Sequence, residues 1–178
     1  MKPDLSTNPH YLAAFQELAG RKAERSGLPY LNHVREGVQI LRFLGASQRA
    51  VDAFCLHPLV QSDEDLKTHL VDGSILTRLH IDPLALATAI EYRSVANHYL
   101  SHDPVRPTDQ IRLSPLADVN HMLIADKVQN RKGFEHHNSA HPRAEHLAAY
   151  FDSWLSALGV SEQDYEDLVV MLEESSLE

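Results

Sequence analysis

A carboxylate interrupts the apolar face of one predicted helix. Within residues 114–132, apolar side chains recur at helical spacing at Leu116, Val119 and Leu123. The same spacing extends this face to Asp126 and Asn130. A buried carboxylate needs a cation, hydrogen-bond donors or a metal ion, and Asn130, one turn later, would point its amide at whatever Asp126 holds. The pattern therefore predicts either a ligand site at Asp126 or an ion pair with a nearby Lys or Arg that only fixes packing.

Two histidines lie at predicted helix boundaries. His57 follows the apolar residues 54–56, and His33 stands at the start of another helix. A lone histidine in such a position is more often a hydrogen-bonded core residue than a ligand. Two imidazoles and one carboxylate from separate helices, however, match the ligand set of divalent transition-metal ions. His33, His57 and Asp126 would form such a site if the fold brought them together.

The elements that must position these residues are helices. The 178 residues are 43% apolar and correspond to one domain over 1–178, and the balance of residue types favours helix over strand. We expect an all-α bundle of seven or eight helices. The predicted helices cover residues 9–24, 33–44, 47–57, 62–73, 83–100, 114–132 and 147–158, with an acidic C-terminal helix at 161–178.

Local signals shape the segment around His57. Ser47 is predicted to cap the helix that carries His57, and Pro58 should end or kink it, since proline lacks a backbone donor and disfavours helical geometry at the preceding residue. Ser62 is predicted to cap a short helix whose first turn, residues 63–65, is acidic. Residues 101–114 form a loop by composition.

Charge and cysteine content exclude several classes of protein. The net charge of −9 argues against a nucleic-acid duplex or a membrane surface as partner, while a small anionic ligand stays open. We find no apolar run of membrane-spanning length and no signal peptide, and therefore expect a cytoplasmic protein. Cys55 is the sole cysteine, so an internal disulfide is excluded and a buried thiol expected. The pattern leaves open whether the chain forms a homo-oligomer.

Three ordered blocks resemble the HD phosphohydrolase superfamily, in particular its RelA/SpoT-type alarmone hydrolases. Residues 25–33, Arg-Ser-Gly-Leu-Pro-Tyr-Leu-Asn-His, resemble the opening motif of that family. His57 falls where the family has a His-Asp dipeptide. Residues 125–130, Ala-Asp-Lys-Val-Gln-Asn, are similar to its Ala-Asp-Lys/Arg-x-x-Asn segment. The resemblance is strongest over residues 10–135, and it implies the all-α HD bundle.

The resemblance also implies roles for individual residues. His33, His57 and Asp126 would bind a divalent metal such as Mn²⁺, with Zn²⁺, Fe²⁺ or Co²⁺ as alternatives. Asn130 would contact a small purine nucleotide, either an alarmone or a nucleoside polyphosphate. Metal-dependent phosphohydrolysis of that nucleotide is the activity implied.

Basic residues near these motifs are candidates for phosphate contacts. Arg25 and Lys127 lie beside the matched segments, and Arg93 forms an i,i+4 pair with Asn97 on a predicted helix. For each cation, an exposed position on the surface is the alternative.

The middle block departs from the family pattern. Pro58 replaces a metal-binding Asp, and Gln61 and Ser62 replace a Glu-Asp pair. The first change removes an anionic ligand and should weaken metal affinity. Gln61 can orient a water but cannot take its proton, and a positioned general base contributes about 10²–10⁴ in rate. Family-type hydrolysis should therefore be impaired.

Several outcomes remain open. An acidic residue of 63–65 would replace the missing carboxylate if the chain ran differently after Pro58. A metal can also lower the pKa of water toward ~7 without a protein base. The alternative to an active phosphohydrolase is a catalytically impaired nucleotide-binding or sensing protein of the same fold. A helical bundle that binds neither metal nor nucleotide is the third hypothesis.

Overall fold

The computed structural model describes residues 20, 29–71, 80–137 and 142–176, and most of these are helical. Within them the chain forms seven α-helices and no β-strand, which confirms the all-α prediction. The helices are α1 (Tyr30–Phe43), α2 (Gln48–Leu56), α3 (Asp63–Leu66), α4 (Pro83–His98), α5 (Ala117–His137), α6 (Ala144–Ala157) and α7 (Glu162–Ser176). The predicted helix at 9–24 and the end of the predicted helix at 62–73 lie outside the described residues.

Helix α5 is the centre of the bundle. It packs against α1, α2, α4, α6 and α7, and α2 also packs against α4. Fully buried aromatic side chains fill the space between these helices, among them Phe54, Tyr92 and Trp154. Residues on one face of α5 therefore meet side chains from α1 and α2 in the interior.

Helix α5 differs from its predicted bounds at both ends. It begins at Ala117 rather than near Ser114, and it continues past Lys132 to His137. Because Leu116 precedes the first turn, its side chain is 48% exposed, and its predicted place on the buried face was wrong. Val119 and Leu123 are fully buried as predicted, and the stripe continues to Asp126.

Helices α1 and α2 approach each other closely at Gly37. A Cβ atom at this position would lie 2.1 Å from Cε1 of Phe54. Carbon atoms prefer separations of about 3.5–4.0 Å, so only glycine fits between the α1 backbone and the Phe54 ring. The close approach brings the start of α1, with His33, next to the end of α2.

Ser47 caps the N-terminus of helix α2, as the sequence predicts, and also anchors it to a neighbouring helix. Ser47 Oγ accepts a hydrogen bond from the Ala50 amide at 3.1 Å. The same hydroxyl donates to Asp118 Oδ1 at 2.8 Å, and Arg49 Nε donates to Asp118 Oδ2 at 2.6 Å. These contacts fix the start of α2 to the start of α5.

Pro58 ends α2 at Leu56, as predicted, but His57 keeps helical geometry. The chain tightens into a 3₁₀ turn over His57–Leu59, and His57 has φ −55° and ψ −35°. The helix therefore ends here while His57 retains helical dihedral angles, which a residue before proline adopts less often. The Val60 amide donates to the His57 carbonyl at 3.1 Å, so the turn tolerates a residue without an N–H at position 58.

Candidate metal centre

Three side chains predicted as ligands meet in the interior. His33 lies on α1, His57 in the turn after α2, and Asp126 on α5. His33 Nε2 lies 3.3 Å from His57 Nε2 and 3.6 Å from Asp126 Oδ1. One donor atom from each residue lies within 4.8 Å of the others, and the residues are only 9%, 2% and 6% exposed. This group could hold a metal ion.

The separations suit a shared cation. Two donors that each lie about 2.1 Å from one ion stand roughly 3.0–3.4 Å apart in octahedral or tetrahedral geometry. The two separations at His33 Nε2, 3.3 and 3.6 Å, are close to this range. Two of the three separations therefore suit a shared ion, and the third, between the donor atoms of His57 and Asp126, is within 4.8 Å.

In their neutral forms, both imidazoles direct the lone pair of Nε2 into the space between His33, His57 and Asp126. His33 Nδ1 lies 2.7 Å from the amide oxygen of Gln129, and His57 Nδ1 lies 2.5 Å from the carbonyl oxygen of Phe54. Both oxygens can only accept, so both Nδ1 atoms donate and, in the neutral rings, both Nε2 atoms carry lone pairs. Two lone pairs 3.3 Å apart repel each other unless a proton or a cation lies between them.

Asp126 forms an ion pair and also faces the two histidines, so both alternatives predicted for it apply. Its Oδ2 pairs with Lys127 Nζ at 2.9 Å, as in a packing ion pair. Its Oδ1 accepts a hydrogen bond from Asn130 Nδ2 at 2.8 Å and faces His33. Burial, followed by the charge of Asp126, raises the pKa of the Tyr92 hydroxyl. Asp126 is therefore held rigidly, with one oxygen directed at the two imidazoles.

Protonation states at neutral pH suit metal binding. Burial, followed by the charge of His33, lowers the pKa of His57 to about 3. Burial alone would raise the pKa of Asp126, but Lys127, His33 and His57 outweigh it and lower that pKa to about 2. The same pairing outweighs burial at Lys127 and raises the pKa of its ammonium group. A neutral imidazole and an ionised carboxylate are the forms that bind metals.

Aromatic rings surround the two histidines. The Phe54 ring lies 5.5 Å from the His33 ring and 4.5 Å from the His57 ring, measured between centroids. Tyr92 lies 5.1 Å from His57 and Tyr30 lies 5.7 Å from His33. Such apolar surroundings strengthen electrostatic interactions inside the site.

Lys127 lies in the interior rather than on the surface. It is 5% exposed, and its Nζ lies 5.0 Å from the Trp154 ring centroid and 3.3 Å from the Tyr150 hydroxyl. The surface alternative for Lys127 was wrong. Lys127 pairs with Asp126, and its role as a phosphate contact stays a prediction. The other candidate cation, Arg25, lies outside the described residues.

Gln61 and Arg93 belong to a clamp on the segment after Pro58. Gln61 Nε2 donates to Asn97 Oδ1 at 3.1 Å, while Arg93 Nε and Asn97 Nδ2 donate to the Gln61 carbonyl at 3.2 and 3.1 Å. The Arg93 guanidinium also pairs with Asp63. None of these contacts reaches the three predicted ligands. The roles of Gln61 in orienting water and of Arg93 in binding phosphate therefore stay predictions.

The acidic residues after Pro58 have partners elsewhere. Ser62 and Asp65 form the predicted capping box of α3, with Ser62 Oγ accepting from the Asp65 amide at 3.0 Å. Asp63 pairs with Arg93 and its side chain is 84% exposed, and Glu64 is exposed. A solvated, capped acidic turn is what forms here. None of these acidic side chains belongs to the group formed by His33, His57 and Asp126.

Two residues beside the site were not predicted from the sequence. Gln129 contacts His33, and Glu36 contacts Gln129 through Oε2 at 3.2 Å. Each follows a predicted ligand by three positions, Gln129 after Asp126 and Glu36 after His33. Residues three apart share a helix face, so this spacing is the signal that could have identified them.

Comparisons with known proteins found no match to this chain. No family model, no curated protein and no solved structure matches the chain. The likeness to the alarmone hydrolases therefore remains a prediction from residues 25–33, 57 and 125–130. Among the described residues, no helix combines the length and the apolar character needed to cross a bilayer.

Proposed function

We propose that this chain is a metal-dependent phosphohydrolase that acts on a purine nucleotide, an alarmone or a nucleoside polyphosphate. The observation that carries the metal requirement is the approach of two imidazole nitrogens, Nε2 of His33 and Nε2 of His57, to 3.3 Å beside the carboxylate of Asp126. The resemblance of residues 25–33 and 125–130 to the alarmone hydrolases supports the nucleotide substrate.

The donor set fits a divalent transition metal, because imidazole suits Mn²⁺, Fe²⁺, Co²⁺ and Zn²⁺ and a carboxylate suits each of them. His33, His57 and Asp126 would hold the ion. A divalent cation bound there would act as a Lewis acid toward a phosphoryl oxygen and lower the pKa of water. Asn130 would keep Asp126 oriented through its 2.8 Å hydrogen bond.

The charges around the site favour an anionic ligand. The negative charge of Asp126 is matched by the positive charge of Lys127, whose Nζ lies 2.9 Å from Oδ2. The positive charge of a divalent ion would therefore stay largely uncompensated by its ligands. Such a centre attracts phosphate groups, and for the same reason it should bind the ion less tightly than a site with a second ligating carboxylate.

The second candidate function is a nucleotide-binding or sensing protein with little turnover. The observation that favours it is the clamp on residues 61–65. Gln61, at the position of the family's acidic pair, donates its side-chain amide to Asn97. Asp63 pairs with Arg93, and the carboxylate of Asp65 accepts from the Ser62 hydroxyl at 2.6 Å. None of these groups is placed to take a proton from water at the centre, and this absence would slow hydrolysis.

One experiment separates these functions. Metal-free protein is supplied with Mn²⁺, Fe²⁺, Co²⁺ or Zn²⁺ together with guanosine polyphosphates or deoxynucleoside triphosphates, and the release of phosphate or pyrophosphate is followed. We expect metal-dependent turnover that is lost in His57→Ala. The matched control is His102→Ala, since the His102 side chain is 67% exposed.

Each outcome decides between the candidates. Turnover that requires both metal and His57 supports the phosphohydrolase. Nucleotide binding without turnover under every metal overturns the enzyme and supports the sensing protein. A chain that binds neither metal nor nucleotide in equilibrium dialysis overturns both candidates.

A further inference from the structure

A line of hydrogen bonds runs from His33 through Gln129 and Glu36 to Lys132 on α5. His33 Nδ1 lies 2.7 Å from Gln129 Oε1, and Gln129 Nε2 donates to Glu36 Oε2 at 3.2 Å. Lys132 Nζ donates to the other oxygen of Glu36 at 2.8 Å. The line joins α1 to α5 three times, and it ends at a partly buried ion pair.

The chemistry of the groups fixes the direction of every bond in this line. An ammonium group only donates and a carboxylate only accepts, so Glu36 must receive bonds from both Lys132 and Gln129. The NH₂ of the Gln129 amide therefore faces Glu36, and its oxygen faces His33. That oxygen accepts only, so the proton of the neutral His33 ring lies on Nδ1 and the lone pair lies on Nε2.

His57 reaches the same tautomer by a different route. Its Nδ1 donates to the Phe54 carbonyl, which is the group that a residue 58 with an N–H would bond in a continued helix. Pro58 has no N–H, so this carbonyl is left to His57. The tautomer of His57 is thus set by the backbone, while the tautomer of His33 depends on two side chains.

We propose that Gln129 and Glu36 are positioning residues that hold the His33 ring with Nε2 directed at the metal. This inference rests on the metal centre of the proposed function and assigns two further residues to it. Partners on the second ring nitrogen of a ligating histidine typically contribute 10–100-fold to metal affinity. We therefore expect the Gln129–Glu36 pair to set the affinity without touching the ion.

Exchanging the side chains of residues 36 and 129 tests this inference. Gln129→Met removes the amide at similar volume and leaves the Nδ1 of His33 without its acceptor. In the double variant E36Q/Q129E the carboxylate of residue 129 would accept from His33, and the amide of residue 36 would donate to it. The matched control is Gln39→Met, a partly buried glutamine on α1.

Two measurements follow these variants. The dissociation constant for Co²⁺ and its visible absorption are obtained by titration of metal-free protein against a competing chelator. The tautomer of His33 is measured separately, without metal, from long-range proton–nitrogen NMR correlations of ¹⁵N-labelled protein. Circular dichroism checks that each variant is helical.

We expect Gln129→Met to raise the Co²⁺ dissociation constant 10–100-fold, to change the absorption and to mix the His33 tautomers. The exchange variant should bind within a few-fold of wild type, and Gln39→Met should match wild type. A wild-type affinity, spectrum and tautomer in Gln129→Met would overturn this inference alone, as would an exchange variant no better than Gln129→Met. Wild-type protein that takes up no Co²⁺ would instead overturn the metal centre, and this inference with it.

Discussion

Gly37→Ala should damage both the stability of the fold and the metal centre. The new Cβ would lie 2.1 Å from Cε1 and 2.3 Å from Cζ of Phe54. These atoms belong to a ring that is fully buried and packed against both His33 and His57. The ring cannot yield without moving the imidazoles, and the helices cannot separate without pulling His33 away from His57.

The magnitude follows from the overlap. The contact is about 1.4–1.9 Å shorter than the 3.5–4.0 Å that carbon atoms prefer. Overpacking a core by one methyl group typically costs about 1–3 kcal/mol, and an overlap of this size belongs at the upper end or above it. Gly133 provides the matched control, because a Cβ there meets no atom within 4 Å. In a helix interior Gly133→Ala should therefore stabilise the protein by about 0.5–1 kcal/mol.

Urea unfolding followed by circular dichroism gives both free energies, and Co²⁺ titration reports the effect on the centre. We expect Gly37→Ala to lower stability and weaken Co²⁺ binding, while Gly133→Ala changes stability in the opposite direction and leaves Co²⁺ binding unchanged. In the double variant Gly37→Ala/Phe54→Leu, a smaller leucine side chain replaces the Phe54 ring and should recover part of the lost stability. If Gly37→Ala were as stable as wild type, the close approach of α1 and α2 would be refuted.

Three further predictions concern the buried charges and a cap. The metal-free protein should lose stability as the pH falls from 6.5 toward 3, because unfolding returns the pKa of His57 from about 3 to 6.5 and takes up a proton. Between pH 6.5 and about 5, above the range in which carboxylates titrate, this slope of at most about 1.4 kcal/mol per pH unit in urea titrations should vanish in His57→Leu, and a flat wild-type profile there would contradict it. Lys127→Met should cost about 3–5 kcal/mol in thermal unfolding by leaving Asp126 without its cation, and Asp126→Asn/Lys127→Met should recover most of it, whereas additive losses would refute the pairing. Ser47→Ala should cost about 1–2 kcal/mol in urea unfolding by removing the cap of α2, and no loss would contradict that role.

Local features of the fold could be predicted because they depend on neighbours in sequence. Ser47 and Ser62 cap helices as expected, since a capping hydroxyl bonds an amide two or three residues away. Pro58 ends α2 because its missing N–H acts within one turn. The start of α5 was missed because Ser114 and Pro115 resemble a helix start. The structure instead uses Ser114 Oγ to accept from the Leu116 amide at 3.2 Å just before the helix.

Burial of charge could not be predicted in the same way. Lys127 follows a predicted ligand by one residue, which places it on a different part of the helix surface. Its long side chain nevertheless reaches Asp126 Oδ2 and lies between Tyr150 and Trp154 of α6. Only the packing of α6 against α5 makes that position an interior one. Until the helices were placed, both alternatives for Asp126, a ligand site and an ion pair with a nearby cation, therefore stayed open.

The amino-acid sequence by itself predicted that the chain is helical, that its one cysteine is buried, and that His33, His57 and Asp126 are candidate metal ligands. The first two conclusions depend on residue type and on spacing within single helices, and the third also depends on the resemblance of residues 25–33, 57 and 125–130 to the alarmone hydrolases. Tertiary structure decided that the three donors meet, that Gln61 turns to Asn97, and that Gln129 and Glu36 support His33. Each of these contacts joins residues far apart in the chain, and their distances depend on how closely α1, α2, α4 and α5 pack.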